Sequence, residues 1–474
     1  MKVLFAASEA TPFFASGGLG DVAGSLPAAL KKQRVHVRVI LPLYGDIAPE
    51  WRAKMQYLTN FTVPVGWRSQ YCGLFELVHN GVTTYFLDNE YYFKRHGLYG
   101  FYDDGERFAF FSRAILEALF HLDFEPELIH CHDWQTALVP VYLNLYYRHL
   151  QAFAQVKAVF TIHNIQYQGK YGREILEETV GIGRKDAHVV EYDGIVNFMK
   201  GAIESADRVN TVSPTYAKEI LDPWYGEGLD DFLRKKQYKL CGILNGIDTD
   251  YYDPATDAYL ASRYTAETAA AGKAACKREL RQAFDLDDND EPVVAMVTRL
   301  VDHKGLDLVR QAADNLVTSG MQLVILGAGN ADYEGFFSDL AFRRRGHFGV
   351  RLGFIPELAR KVYAGSDMFL MPSRTEPCGL SQMLALRYGS VPIVRETGGL
   401  RDTVRDSGGG EGNGFTFASY NAYDMQQACF RALEGYGNKT GWTTLVQRGM
   451  ACDFSWGASA REYHAMYKEV LSLW

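Results

Sequence analysis

Two glycine-rich turns and one isolated acid carry the chemistry this sequence allows. Ser16-Gly17-Gly18-Leu19-Gly20-Asp21 follows the apolar run Val3–Ala7 directly. A strand that runs into glycines and then a helix presents unpaired backbone N–H groups and a positive helix end, both suited to an anion. In the second half Arg299 and Lys304 precede Glu376, and Thr397-Gly398-Gly399 forms another glycine turn. Two phosphate-sized cradles and one carboxylate fit a donor with a diphosphate at one end and hydroxyls at the other. That is nucleotide-sugar chemistry.

The other unusual polar residues fall where such a ligand would lie. In open α/β sheets ligands bind beyond the carboxyl ends of the strands. His132, Asp133 and Trp134 follow an apolar run ending at Cys131, and His163-Asn164 follow Ala158–Ile162. Arg299 follows Val293–Val297, Glu376 follows Met368–Met371, and Gly398-Gly399 follow Val391–Val394. Each has a plainer reading as well. Gly17-Gly18 can be a tight turn, His163 a core histidine, and His132-Asp133 a helix cap with Asp133 as acceptor. Arg299 and Lys304 can be surface cations, and Glu376 an acid in the first turn of a helix.

The elements that must hold these residues are short apolar runs alternating with amphipathic stretches. Strands are predicted at 2–7, 35–43, 83–87, 128–131, 158–161 and 208–212, then again at 293–297, 322–326, 350–353, 368–371 and 391–394. Their near-continuous apolar character fits parallel strands covered on both faces. Helices are predicted over 21–32, 106–120, 306–316, 377–388 and 458–473. Residues 253–290, rich in Ala, Thr and Asp, interrupt the alternation. The fold class expected is α/β: two doubly wound, Rossmann-like domains facing across a cleft. The boundary is expected at Asn245-Gly246-Ile247-Asp248, with an acceptor-side domain over 1–245 and a nucleotide-sugar domain over 246–455.

Composition narrows the classes. With 474 residues, 47% hydrophobic content and a net charge of −8, the chain offers no broad basic face to nucleic acid. Arg343-Arg344-Arg345 is read as a solvated helix face rather than a polyanion site. Seven scattered cysteines without Cys-x-x-Cys spacing argue against a disulfide framework and against structural zinc. No apolar run reaches the roughly 18 residues of a membrane span. The strand opening directly after Met1 leaves no room for a targeting segment, so a soluble cytoplasmic protein is expected.

The local words are specific. Ser-Gly-Gly-Leu-Gly-Asp-Val (16–22), His-Asp-Trp (132–134), Thr-Ile-His-Asn (161–164), Asn-Gly-Ile-Asp (245–248), Arg-Leu-x-x-x-Lys-Gly-Leu-Asp (299–307), Glu-Pro-Cys-Gly-Leu-Ser-Gln (376–382) and Thr-Gly-Gly-Leu-x-Asp-Thr-Val (397–404) occur in order along the chain. Together they resemble bacterial glycogen synthases and plant starch synthases over nearly its whole length. The resemblance implies a retaining glucosyltransferase of the GT-B type that extends an α-1,4-glucan such as glycogen from ADP-glucose or UDP-glucose. It also implies a last helix, within 456–474, that returns to the first domain. No metal or other cofactor is implied, since Arg299 and Lys304 can neutralise a diphosphate.

By the same resemblance Glu376 binds glucose hydroxyls, aided by N–H groups of Cys378 and Gly379. Arg299, Lys304 and the N–H groups of Gly18, Leu380 and Ser381 hold the phosphates, with Gly17, Asp21 and Asn245 on the donor side. His163 lies beside the anomeric centre, and Asp133 orients donor and acceptor. His132, Trp134 and Gln135 face the acceptor. Apart from the resemblance, Phe354 follows the strand predicted at 350–353 and is placed to stack on either base, adenine or uracil. Cys378 is read as a packed thiol, not a nucleophile.

Two positions depart from the pattern. The family lysine before the Gly-Gly turn is Ala15 here, and Gln135 stands where a histidine is common. A related GT-B enzyme with another donor or acceptor is the alternative reading, as is a non-catalytic glucan-binding paralogue. A glucan phosphorylase would need a lysine-linked pyridoxal phosphate.

Overall fold

The computed structural model of the protein describes residues 1–473, so the last residue of the segment 456–474 lies outside it. The chain forms two compact units. The first comprises Met1–Gly246 together with the segment from Trp456 onward, and the second comprises Ile247–Ser455.

In the first unit the strands are β1 (Lys2–Ala6), β2 (His36–Pro42), β3 (Gln56–Val65), β4 (Arg68–His79), β5 (Val82–Asp88), β6 (Leu128–His132) and β7 (Lys157–Ile162). Three short strands follow, β8 (Lys170–Tyr171), β9 (Glu191–Tyr192) and β10 (Ile195–Asn197), which pair antiparallel in a small separate sheet. Then come β11 (Arg208–Thr211) and β12 (Leu240–Gly242). The main sheet has the order β12-β11-β7-β6-β1-β2-β5-β4-β3. It is parallel from β12 through β5, and β3 and β4 complete it as an antiparallel hairpin.

The apolar runs explain why these strands sit inside. Every residue of β6 is buried, as expected for a parallel strand covered on both faces. The helix Asp104–Ala118 covers the sheet with Phe108, Phe111, Ile115 and Leu116, all buried at helical spacing. The last helix, Trp456–Ser472, packs against the helix Gly18–Lys32 and buries Tyr463, Met466 and Tyr467.

The second unit holds a six-stranded, wholly parallel sheet. Its strands are β13 (Val293–Val297), β14 (Gln322–Gly327), β15 (Phe348–Leu352), β16 (Met368–Met371), β17 (Val391–Arg395) and β18 (Phe415–Phe417), in the order β15-β14-β13-β16-β17-β18. Both units are therefore doubly wound α/β folds. The strand order reverses between β1 and β6 in the first and between β13 and β16 in the second. Those two gaps are where a doubly wound sheet opens a crevice for ligand.

Three expectations need correction. The hairpin β3–β4 and the small sheet were absent from the predicted strands. The helix expected over 377–388 begins only at Ser381, because Gly379 has φ +73° and the chain stays irregular through Leu380. Glu376 is therefore not a first-turn acid. Arg343 and Arg344 are charge-paired, to Asp339 (2.8 Å) and Asp314 (2.7 Å), as a solvated face should be. Among the described residues no helix is long and apolar enough to cross a membrane.

Candidate active site

In the second unit, β16 leads into a loop that is held from several sides. The backbone N–H of Arg374 donates to the His303 carbonyl (2.9 Å), and the Arg395 guanidinium donates to the Arg374 carbonyl (2.6 Å). The Gln382 amide donates to the carbonyls of Cys378 (3.1 Å) and Gly379 (2.9 Å). Inside this frame Glu376 is 7% exposed, and its two carboxylate oxygens accept from the Lys304 ammonium at 2.9 and 2.7 Å. The Ser373 hydroxyl adds a bond of 2.9 Å.

Lys304 reaches Glu376 because Gly305 lets its loop close on the end of β16. A Cβ at Gly305, which has φ +76°, would lie 2.1 Å from the Pro372 carbonyl oxygen. Two of the three ammonium protons face Glu376, leaving one for a ligand.

The second glycine turn does not form a phosphate cradle. The Gly399 N–H is spent on the carbonyls of Glu376 (3.1 Å) and Pro377 (3.2 Å), and a Cβ there would sit 2.0 Å from the Cys378 carbonyl oxygen. Gly398 and Gly399 are buried and serve the close approach of the Glu376 loop. Open donors lie elsewhere in this unit. The backbone N–H groups of Gly379 and Leu380 have no acceptor among the described residues, and the exposed Arg299 guanidinium has no hydrogen-bonded or ionic partner there. Ser381 opens the helix Ser381–Arg387, and Cys378 is buried. Phe354, beyond the edge strand β15, is 93% exposed and separated from β16 by two strands.

In the first unit the turn after β1 is open. Gly17 and Gly18 are exposed, no atom lies within 4 Å of a Cβ built on either, and the helix Gly18–Lys32 starts there. Asp21, in its first turn, keeps contact with solvent. The surrounding protein and the charge of Glu9 still raise its carboxyl to about 6, desolvation being the larger cause.

Beyond β6 and β7, Asp133 accepts the backbone N–H of His163 (2.7 Å) instead of capping its own turn. Burial raises the Asp133 carboxyl to about 7 against these backbone hydrogen bonds, with Glu9 adding to the rise. Its backbone has φ +55° and ψ −179°, a region that residues other than glycine rarely occupy. Burial pushes the His163 imidazole down to about 3, so the ring is neutral near pH 7.

His163 Nε2 lies 2.9 Å from His132 Nδ1, and His132 Nε2 is buried without a partner. A buried N–H without an acceptor is the rarer condition. The hydrogen-bond pattern therefore assigns the shared proton to His132 Nδ1 and leaves Nδ1–H of His163 as a donor.

Two acceptor candidates are corrected by burial. His132 has no exposed surface and lies between the rings of Phe5 and His130, each 4.1 Å away centre to centre. Gln135 is buried too, so neither presents a face to a glucan. Trp134 is half-buried against Phe108 (5.1 Å). Asn245, beyond β12, is buried, and its Oδ1 has no partner among the described residues.

The structure thus brings Asp133, His132 and His163 together in one unit and Lys304 and Glu376 in the other. Sequence reasoning passed over Glu9 and Ser373. Glu9 carried one signal, an acid three residues beyond a strand whose last four residues are apolar and buried.

Known proteins match this architecture along its whole length. Residues 2–235 match the family described as the starch synthase catalytic domain, and residues 277–440 match glycosyl transferases group 1. The glycogen synthase of Geobacillus thermodenitrificans is 50% identical over 99% of this chain and 98% of its own. The chain belongs to the glycogen synthase family. Among other glycogen synthases, that of Desulforamulus reducens is 49% identical over 99% of each chain. The catalytic domain of starch synthase IV from Arabidopsis thaliana, solved with ADP and acarbose, superposes with a TM-score of 0.90 at 35% identity over 99% of both chains. A sucrose-phosphate synthase from Thermosynechococcus elongatus shares the fold at a TM-score of 0.61 and 16% identity. As a glycogen synthase family member, the protein is a glycosyltransferase of the GT-B fold class.

Proposed function

We propose that this enzyme transfers glucose from ADP-glucose to the non-reducing end of an α-1,4-glucan, with retention at the anomeric carbon. The observation that carries the reading is the Lys304–Glu376 pair. It is a buried carboxylate with a fixed cation, set beside unpaired N–H donors and a free guanidinium at a strand-order reversal. Breaking the bond between glucose and diphosphate needs the leaving phosphate and an oxocarbenium-like sugar stabilised together.

Arg299, the remaining Lys304 proton and the N–H groups of Gly379 and Leu380 supply the anion side, with Ser381 adjoining. The N–H groups of Gly17 and Gly18 add a second set. Glu376 receives glucose hydroxyls, the neutral His163 donates from Nδ1, and Asp133 holds the His163 backbone so that its carbonyl faces the sugar. Trp134 offers a surface to the acceptor. Adenine is the favoured base because the starch synthase IV domain was solved with ADP, and the exposed Phe354 ring is available to stack on it.

The test is nucleotide diphosphate release from ADP-glucose and UDP-glucose, each with and without glycogen. Glycogen-dependent release, faster from ADP-glucose, is the expected result. Glu376→Ala and Arg299→Ala should each lower turnover by roughly a hundredfold or more in folded protein. Release from neither donor by protein that still binds glycogen would overturn the reading in favour of a non-catalytic glucan-binding role.

A further inference from the structure

We propose that Glu9 is a positioning residue for the transfer reaction, bracing the glycine turn that receives the donor's phosphate; this rests on the reading of that turn given above. Glu9 lies three residues beyond β1 and is 4% exposed. Its Oε2 accepts the Ser16 backbone N–H at 2.9 Å and the Ser16 hydroxyl at 2.7 Å, and its Oε1 accepts the Gly20 N–H at 3.1 Å. One carboxylate therefore ties both ends of the stretch Ser16–Gly20. The two residues left facing solvent between those ties are Gly17 and Gly18, whose N–H groups are open.

The chain is shaped to permit this closure. A Cβ at Gly20 would lie 2.3 Å from the Ala15 Cβ, so the segment leading into the turn crosses directly over Gly20 before Ser16 meets the carboxylate. The intervening loop folds back on itself through bonds between Ala10 and Phe14 at 3.0 and 3.1 Å.

A merely structural brace would not need a full charge. Burying a carboxylate is costly unless it is paired, yet Glu9 meets only N–H and O–H donors and has no cation partner among the described residues. Four titratable groups feel its charge: Asp21, Asp133, Tyr44 and Tyr99, each driven toward its neutral form in part by Glu9. A carboxylate with two oxygens is the one side chain that can accept from three donors at two separated points and leave none facing another donor. In Glu9→Gln the NH2 group must face either the Ser16 donors or the Gly20 N–H. The turn then loses one of its two ties.

The experiment is calorimetric titration of wild type and Glu9→Gln with ADP, paired with steady-state kinetics across pH. The expected result is ADP binding about tenfold weaker, with the donor KM raised and kcat changed far less. The acid limb of the pH profile should also move to lower pH, because Asp21 and Asp133 lose a repelling charge. Ser16→Ala, which removes one bond of the three, should weaken ADP in the same direction by a smaller factor and carries the test should Glu9→Gln fail to fold. Unchanged ADP affinity in both variants overturns the proposal, as does a lowered kcat with unchanged KM and pH profile. Wild type that binds no ADP overturns it together with the reading of the turn. ADP binding that weakens in both variants without glucose transfer by wild type would overturn the transferase reading and leave Glu9 only as the brace of a nucleotide-binding turn.

Discussion

Asp133 is held in a state that the chain would not choose for stability. Its φ of +55° with ψ near 180° costs about 1–3 kcal/mol, and its carboxyl must be desolvated to reach its place. Because the folded value, about 7, stands above the 3.8 of a carboxyl in the unfolded chain, the sign is fixed. The associated stability is complete below about pH 4 and is lost as pH rises through 7. Burial of neutral His163 works the other way, removing stability as pH falls below 6.5 toward about 3. Asp133→Asn tolerates the same backbone and can keep the bond from the His163 N–H. We expect it to be more stable than wild type at pH 8 by on the order of 1–2 kcal/mol, with the difference vanishing near pH 4. Its turnover should fall by roughly a hundredfold. Urea denaturation at the two pH values checks the first statement, and donor turnover checks the second.

At the scale of elements, the two glycine pairs look alike in sequence and do opposite things. Around Gly18 there is open space, while Gly399 touches the Cys378 backbone. Gly18→Ala should leave the fold intact or stabilise it by about 0.5–1 kcal/mol, since alanine favours a helix start over glycine. It should nonetheless weaken donor binding, because its methyl fills the approach to the turn. Gly399→Ala should destabilise the second unit by about 2 kcal/mol or more and displace the Glu376 loop. Thermal melts set beside donor titrations would separate the two cases, and a destabilised Gly18→Ala would contradict the first.

The parallel strands were legible because their apolar runs are continuous, and with them the positions of Asp133, His163, Arg299 and Glu376 just past strand ends. The Lys304–Glu376 pair was not. It joins residues 72 positions apart through backbone contacts that only Gly305, Gly398 and Gly399 permit, and no local pattern encodes such an approach. The hairpin β3–β4 escaped because only alternate residues near the end of β3 are buried. Asn80-Gly81, the two-residue turn between β4 and β5, was a usable signal for the pairing of β4 with β5.

For the molecule as a whole, the C-terminal helix reaches into the heart of the first unit. The Tyr467 hydroxyl lies 2.6 Å from His130 Nδ1, and His130 Nε2 lies 2.6 Å from the Thr161 hydroxyl. Thr161 in turn donates to Asn210, whose amide reaches the Tyr463 hydroxyl at 3.3 Å. Since the Thr161 proton goes to Asn210, His130 donates from Nε2 and accepts from Tyr467. Tyr467→Phe leaves that buried acceptor empty and should cost about 1–3 kcal/mol. Calorimetry should show the loss in the first unit's transition and none in the second's. Strands β6 and β7, which lead directly into Asp133 and His163, lean on this helix, so the variant should lower turnover as well.

The chain leaves the first unit after Gly246 and re-enters it at Trp456, and those two crossings are neighbours. The Ile247 N–H donates to the Phe454 carbonyl at 2.8 Å, and Ile247 and Ser455 form a β-bridge. The second unit is thus a cassette spliced into a closed host, entering and leaving through a single doorway. A cassette of that kind can be exchanged for another by rejoining two adjacent ends, with no rewiring of the host's sheet.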